Sequence, residues 1–391
     1  MDRRQLIAAG AVSIFGLLGV TGIGQAERPE ATGRIARHVY PGEGAAFAMT
    51  NVTADNRIIT YRRAADGALT RVGSVSTQGN GIGTDLDTQG GLRLSQDHRF
   101  LYAVNAGSDD VTVFSVDGPS LTFLQRVPAG DEPNSLTLHG DLLYVLNGSV
   151  AGNGIRGFRV ASDGTLTPIA NSVRLLSSPI AVPGQVEFSP DGRMLLVTQK
   201  TDNRLLTPRK AIDVFTVGRD GLASATPKRN FSHGVRPFSL AFRDDGRLVV
   251  VESFNAAPGR SAITSYRLSA RGWLNAIDGS VPNGQTDSCW VVITGDGRYV
   301  FAANFGSGTI SSYRFDADGG LHLLDGDAAF LGAMSQPVDL ALSADSAYLY
   351  LLLRGTGGVA AFRIDNGSLH PLGLVTGGLP VADGASGLAA Y

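Results

Sequence analysis

The sequence predicts an all-β fold: a seven-bladed β-propeller of four-stranded antiparallel blades, closed by strands from both ends of the chain. Three observations carry that reading. A unit with one outline recurs along the chain at about 40–55 residues, the period of propeller blades. Glycine is abundant, 51 of 391 residues, about twice the usual share, as a fold full of tight turns requires. The two ends are incomplete units that complement each other.

The unit is clearest in "TGDGRYVFAANFGSGTISSYRFDADGGLHLL". Four short runs of Val, Leu, Ile, Phe and Tyr alternate with polar residues, as half-buried antiparallel strands do. An Asp-Gly turn ("SPDGR", "TGDGR") joins the first two strands, and a second Asp-Gly or Asn-Gly turn joins the last two. Copies begin at Leu92, Leu136, Val186, Leu240 and Leu340. The segment from Ala45 to Val75 holds strands two to four without a first, and "GASGLAAY" at the end of the chain reads as a lone first strand. Pairing the two completes a seventh blade and removes the free sheet edges of an open array. A solenoid is the alternative architecture, and it would need polar caps that the sequence lacks.

Residues 1–26 have a short basic start, an apolar stretch and a small-residue exit, the layout of an export signal. Arg3-Arg4, then Gln5 and Leu6-Ile7, resembles the twin-arginine type; an ordinary secretory signal is the alternative. The expectation is an exported protein, periplasmic or secreted, with residues 27–391 forming one propeller domain and no membrane association once the signal is removed. Charges balance at 33 basic against 35 acidic, so nucleic acid is not an expected partner. One cysteine, Cys289, excludes an intrachain disulfide framework, a multi-thiolate metal site and a haem attachment motif. No metal or cofactor is expected, and a redox propeller is the poorest of the readings. The expected state is a monomer.

Connections in such a blade alternate between two faces. Turns after the first and third strands are short and uniform. Loops after the second and fourth are long and irregular, and this variable face can carry binding groups without disturbing the sheets. His98 and His139 fall in uniform-face turns, His322 and His370 on outer strands, and His38 ahead of the first blade. His233, in "FSHGVRPF", lies on the variable face three residues before Arg236, where it could activate water; a solvated loop histidine is the plainer alternative. Lys200, Arg204, Arg209 and Lys210 share one long loop with a single acid, Asp202, and Arg236 and Arg260 come from the next unit. This clustering suits a small anionic ligand. Glu252, at the exit of a second strand, is a candidate buried carboxylate base. The starts of the first strands bring Glu132, Asn134, Ser135, Gln185, Glu187, Ser239, Asp287, Cys289, Trp290, Gln336 and Asp339 to the channel mouth. These could hold a polar ligand, or could satisfy the inner strand edges with ordered water.

The "SPDGR…LYVxN…VxxF…DGxL" unit, seven times with shared closure, resembles the lactonase-type seven-bladed propeller family. That family includes bacterial propeller 6-phosphogluconolactonase and the fungal carboxymuconate-cyclising enzyme. The resemblance implies His, Glu and Arg groups on the variable face of the middle blades. At the matching positions this chain has Pro133-Asn134-Ser135, Pro183-Gly184-Gln185 and Thr198-Gln199, and the family's arginine is kept as Arg236. Asn and Gln bind carbonyls and hydroxyls but exchange no proton at neutral pH. The function implied is hydrolysis of a small sugar-acid or carboxylate lactone, with His233, Arg236 and Glu252 catalytic. Asn134, Gln185, Gln199, Lys200, Trp290 and Asp339 are then ligand-binding. The alternative is a non-catalytic propeller that binds a small anion, a sugar acid or a peptide segment.

Overall fold

The structure is a computed structural model that describes residues 42–149, 152–178, 180–201 and 210–391. The expected export signal, His38 and the loop residues Asp202, Arg204 and Arg209 lie outside the described residues.

Seven antiparallel sheets follow one another along the chain. Blade two is the simplest: Leu92–Leu94, Phe100–Asn105, Asp110–Asp117 and Ser120–Pro128, paired in sequence order. Blades three to seven repeat this plan from Pro133–His139, Val182–Phe188, Pro237–Phe242, Ser288–Ile293 and Pro337–Leu342 as inner strands. Each inner strand packs on the next, and the circuit closes from Pro337–Leu342 through Leu388–Ala390 to Leu92–Leu94. Blade one is shared as expected. Its strands Gly44–Met49, Arg57–Arg63 and Leu69–Ser76 are joined by Leu388–Ala390, with Phe47 opposite Ala389. The Met49 amide donates to Gly387 O at 3.0 Å and the Tyr391 amide to Ala45 O at 3.0 Å.

Two devices explain why the repeat sequence builds this ring. The uniform-face turn is a five-residue unit, wider than a two-residue hairpin. In Ser189–Arg193 the Ser189 hydroxyl donates to Asp191 at 2.7 Å and accepts from the Met194 amide at 3.0 Å. Gly192 takes the left-handed conformation (φ 68°) that glycine adopts without strain. The second device is the tyrosine of the Leu-Tyr pair in the second strand of blades two, three and seven. Tyr102, Tyr144 and Tyr350 are buried, and their hydroxyls donate to the carbonyls of Gly164, Gly221 and Gly67 in the next blade, at 3.1, 2.7 and 3.0 Å. The last of these joins blade seven to blade one. Apolar side chains between blades form the core, with Phe47, Phe114, Phe158, Phe215 and Phe238 fully buried. No helix among the described residues is long and apolar enough to cross a membrane.

Deleting residues 388–391 removes three residue pairs and the burial of Leu388 and Ala389. The expected loss is roughly 5 kcal/mol, from about 1 kcal/mol per lost hydrogen bond and about 2 kcal/mol for a buried leucine. Urea unfolding of the full and truncated chains measures it, and an unchanged midpoint would contradict shared closure.

Candidate functional site

The inner strands begin at the variable face, and their entry residues share an unusual conformation. Glu132, Arg236, Asp287 and Gln336 all have left-handed backbones, at φ 57, 58, 55 and 50°. Three of the four non-glycine residues precede a proline, which disfavours the right-handed helical conformation there. Each left-handed non-glycine residue costs about 1–2 kcal/mol. Such strain is a mark of sites where side-chain placement matters.

These side chains do not face an empty mouth. The segment 84–91, expected to be an ordinary variable-face loop, runs into the channel opening and touches every other blade around it. The Asn51 side-chain amide donates to Thr84 O at 2.7 Å, and Asp85 pairs with Arg354 at 2.6 Å. The Thr88 hydroxyl donates to Asn134 O at 2.7 Å, and the Trp290 indole N–H to Thr88 O at 3.0 Å. Gln89 acts as a strand surrogate: its side-chain amide donates to Val291 O and accepts from the Val291 amide, both at 2.9 Å. Its backbone amide donates to Gly184 O at 3.2 Å, and its carbonyl accepts from the Ser135 hydroxyl at 2.6 Å. The segment is a plug built from the chain itself.

The plug governs the basic residues. Asp87 (φ 52°) accepts from Lys200 Nζ at 2.5 Å and from Arg236 Nη2 at 3.2 Å on the same carboxylate oxygen. Lys200 is 1% exposed at its side chain and lies over the Phe238 ring. Burial pushes its ammonium below the usual range, and the Asp87 charge opposes this. Arg236 remains 29% exposed. Asp287 is pushed up by burial and by the charges of Asp87 and Asp85, against a hydrogen bond from Cys289 and the charge of Arg236. Burial also raises Cys289.

A second cluster lies on the same crossing segment. His233 Nδ1 is 3.0 Å from Ser280 Oγ, and Ser280 Oγ donates to Glu252 Oε2 at 2.5 Å. Because the hydroxyl hydrogen goes to the carboxylate, Nδ1 carries the proton toward Ser280 and Nε2 is left with its lone pair. Glu252 is fully buried and accepts further bonds from the Gly234 amide at 2.6 Å and Thr264 Oγ1 at 2.7 Å. Ser280 sits in a break in the outer strand of blade five, between Leu274–Ala276 and Val281–Pro282, with φ 46°. The His233 amide donates to the Tyr266 hydroxyl at 2.8 Å. His233 and Arg236 therefore share the segment from Ser232 to Pro237, but their side chains turn to different partners.

The remaining sequence candidates are placed as follows. Glu252 has no exposed surface, and it takes the place that Asn105 and Asn304 hold in their blades. Those amides bond Thr112 and Ser311 of the third strand, both at 2.9 Å, as Glu252 bonds Thr264. Gln199 occupies the same position in blade four, fully buried, with its amide on Ser177 at 3.1 Å. Gln185, also fully buried, clamps the Leu240 amide at 2.9 Å and Glu187 at 2.8 Å. Trp290 is buried beneath the plug, against Phe238, and Asn134 is buried beside it. Asp339 accepts from the Gly387 amide at 2.6 Å and so supports ring closure. Lys200 is committed to Asp87. Of the nine, His233 and Arg236 keep exposed surface.

A cavity of about 860 Å³ is on the uniform face between blades two and three. A second of about 350 Å³ opens from the channel below Gln89. Both reach the Arg93–Glu187 ion pair, which sequence reading missed. Much of the rim is occupied with its own turns, as in the 2.7 Å Ser95–Asp97 bond, and Glu187 is bound by Arg93, Thr137 and Gln185. No group of three or more His, Cys, Asp or Glu among the described residues is arranged to hold a metal ion.

Comparison with known proteins follows this geometry. The sequence family described as "Lactonase, 7-bladed beta-propeller" matches residues 29–182 and 195–330. Among solved structures, a putative 6-phosphogluconolactonase from Bacteroides uniformis superposes with a TM-score of 0.70 at 18% identity, covering 90% of this chain and 100% of that one. The periplasmic gluconolactonase of Pseudomonas aeruginosa gives 0.64 at 19%, covering 89% and 99%. At these identities the likeness is one of fold. A curated relative, the non-catalytic subunit of tRNA (guanine-N(7)-)-methyltransferase from Meyerozyma guilliermondii, is 26% identical over 149 residues, 37% of this chain. The match spans about a third (34%) of that protein's length.

Asp339 supplies a pH test. Burial raises its carboxyl from the ordinary 3.8 to about 7, against the Gly387 hydrogen bond and the Arg93 charge. Between those values the unfolded chain releases a proton that the native chain keeps, so this group's contribution to stability falls as pH rises, then levels above about pH 7. The melting temperature of Asp339→Asn minus that of the native protein should therefore grow from pH 4 to pH 7. A difference that is flat or shrinks contradicts the assignment.

Proposed function

Because the chain belongs to the seven-bladed β-propeller lactonase family, we propose that it hydrolyses a small lactone at the variable mouth. The observation that carries this reading is the His233–Ser280–Glu252 relay on the same segment as Arg236. His233 Nε2 takes a proton from water as the water oxygen attacks the lactone carbonyl carbon. Arg236 faces the oxygen on which negative charge develops. The tetrahedral intermediate collapses with cleavage of the ring C–O bond, and the imidazolium returns the proton to the leaving alkoxide. The product is a hydroxy acid. Glu252 and Ser280 act as positioning residues: they hold the ring in one tautomer and one orientation.

A second reading is a non-catalytic propeller that binds a small molecule at the same mouth. The buried hydrogen bonding of Gln185 and Gln199 favours it, because family positions are here given to structure. We further propose that residues 1–26 direct export to the periplasm or beyond; the mature N-terminus by mass spectrometry should lie near Glu27.

Turnover on a panel of lactones separates the readings. His233→Ala should lower kcat/KM by about 100-fold, the usual worth of general-base catalysis. Ser280→Ala should lower kcat with KM little changed, as expected of a positioning group. A panel with no turnover above the spontaneous rate, or a His233→Ala protein as active as the native one, removes the hydrolase reading and leaves the binding one.

A further inference from the structure

The charge of the mouth, rather than its shape, limits what it can take. Among the described residues, the cations that meet the plug are Lys200, Arg236 and Arg354, from blades four, five and seven. Asp85 and Asp87 of the plug and Asp287 of blade six stand against them. Asp87 binds both Lys200 and Arg236, Asp85 binds Arg354, and Asp287 lies within the field of Arg236. The cluster is balanced before any ligand arrives.

Asp87 is not a mobile counter-ion that a ligand could push aside. Its own amide donates to Asp85 Oδ1 at 2.9 Å. The next two residues, Thr88 and Gln89, are fixed to Asn134, Trp290, Ser135, Gly184 and Val291. Lys200 also donates to the Asp87 backbone carbonyl. Displacing this carboxylate would leave a fully buried ammonium without a countercharge, which is strongly unfavourable. A phosphate or carboxylate placed at this cluster would therefore meet Asp85, Asp87 and Asp287, and each of Lys200, Arg236 and Arg354 already has a carboxylate partner.

We propose that Asp87 is a specificity-determining residue that makes this mouth select an uncharged, hydroxyl-bearing lactone and reject its phosphorylated or carboxylated counterparts. The sequence alone implies an anionic ligand, because Lys200 and Arg236 can be counted in it while their pairing with Asp87 cannot. The inference deepens the lactone reading and rests on it. It also has a readout that needs no turnover.

The test is binding of inorganic phosphate and of a sugar lactone phosphate, measured by calorimetry on the native protein and on Asp87→Asn, beside the unphosphorylated lactone. The native protein should bind the uncharged lactone at least about tenfold more tightly than the phosphate ester, and bind inorganic phosphate no better than a surface site does. Asp87→Asn should bind inorganic phosphate about tenfold or more tighter than the native protein. Tighter binding of the phosphate ester by the native protein, or no gain of phosphate binding in a folded Asp87→Asn, overturns the proposal. If Asp87→Asn does not fold, Asp87→Asn with Lys200→Met removes the stranded ammonium. In it the native discrimination against the phosphate ester should fall by about tenfold, and unchanged discrimination overturns the proposal. Absence of lactone turnover by the native protein, with the gain of phosphate binding in Asp87→Asn intact, would sink the hydrolase reading while sparing the role of Asp87.

Discussion

A ring of sheets leaves a hole at its centre, and the groups that line the hole need partners. Here the chain supplies them from segment 84–91. Gln89 gives its side-chain amide to the backbone of Val291 in the manner of a neighbouring strand. Thr88 is held by Asn134 and Trp290. Once the plug is seated, its acids decide the rest: Asp87 fixes Lys200 and Arg236, and Asp85 fixes Arg354. The mouth is thus assembled from groups far apart in the chain by one short segment. Its chemistry is confined to what the plug leaves uncovered, chiefly Arg236 and the neighbouring His233.

The blades were legible because repetition multiplies weak signals. One Asp-Gly turn means little, but seven copies of the four-stranded unit define strands, register and the shared closing blade. Closure itself was readable from the mismatch of the ends, and Leu388–Ala390 lies beside Gly44–Met49 as that mismatch requires. The site was much less legible. Gln199 and Glu252 look like isolated polar residues at strand exits. Set against Asn105 and Asn304, they occupy one repeated position that bonds the third strand. Comparing the repeats position by position would have found this from sequence. The plug left no such trace, because its bonds are to backbone groups of other blades and follow no period. The burial of Lys200 and Trp290 is unreadable from sequence for the same reason: what covers them is 84–91.

Strain and polarity coincide at this mouth. The entry to an inner strand is left-handed in blades three, five, six and seven without glycine to relieve it, at Glu132, Arg236, Asp287 and Gln336. Ser280, the link between His233 and Glu252, has the same kind of backbone. The family's fold is kept throughout, while Asn134, Gln185 and Gln199 are buried in structural hydrogen bonds and the plug fills the mouth. Family membership and a changed mouth are compatible, since the sheets depend on the turns, the tyrosine links and the closing strand, and hardly at all on the loops above.

The central claim is that segment 84–91 is a fixed part of the channel wall. Hydrogen–deuterium exchange on the native protein measures it most directly. The account predicts that a peptide covering 84–91 exchanges as slowly as the inner strand Leu92–Leu94 that follows it. Complete exchange of 84–91 within seconds, while Leu92–Leu94 stays protected, would contradict it.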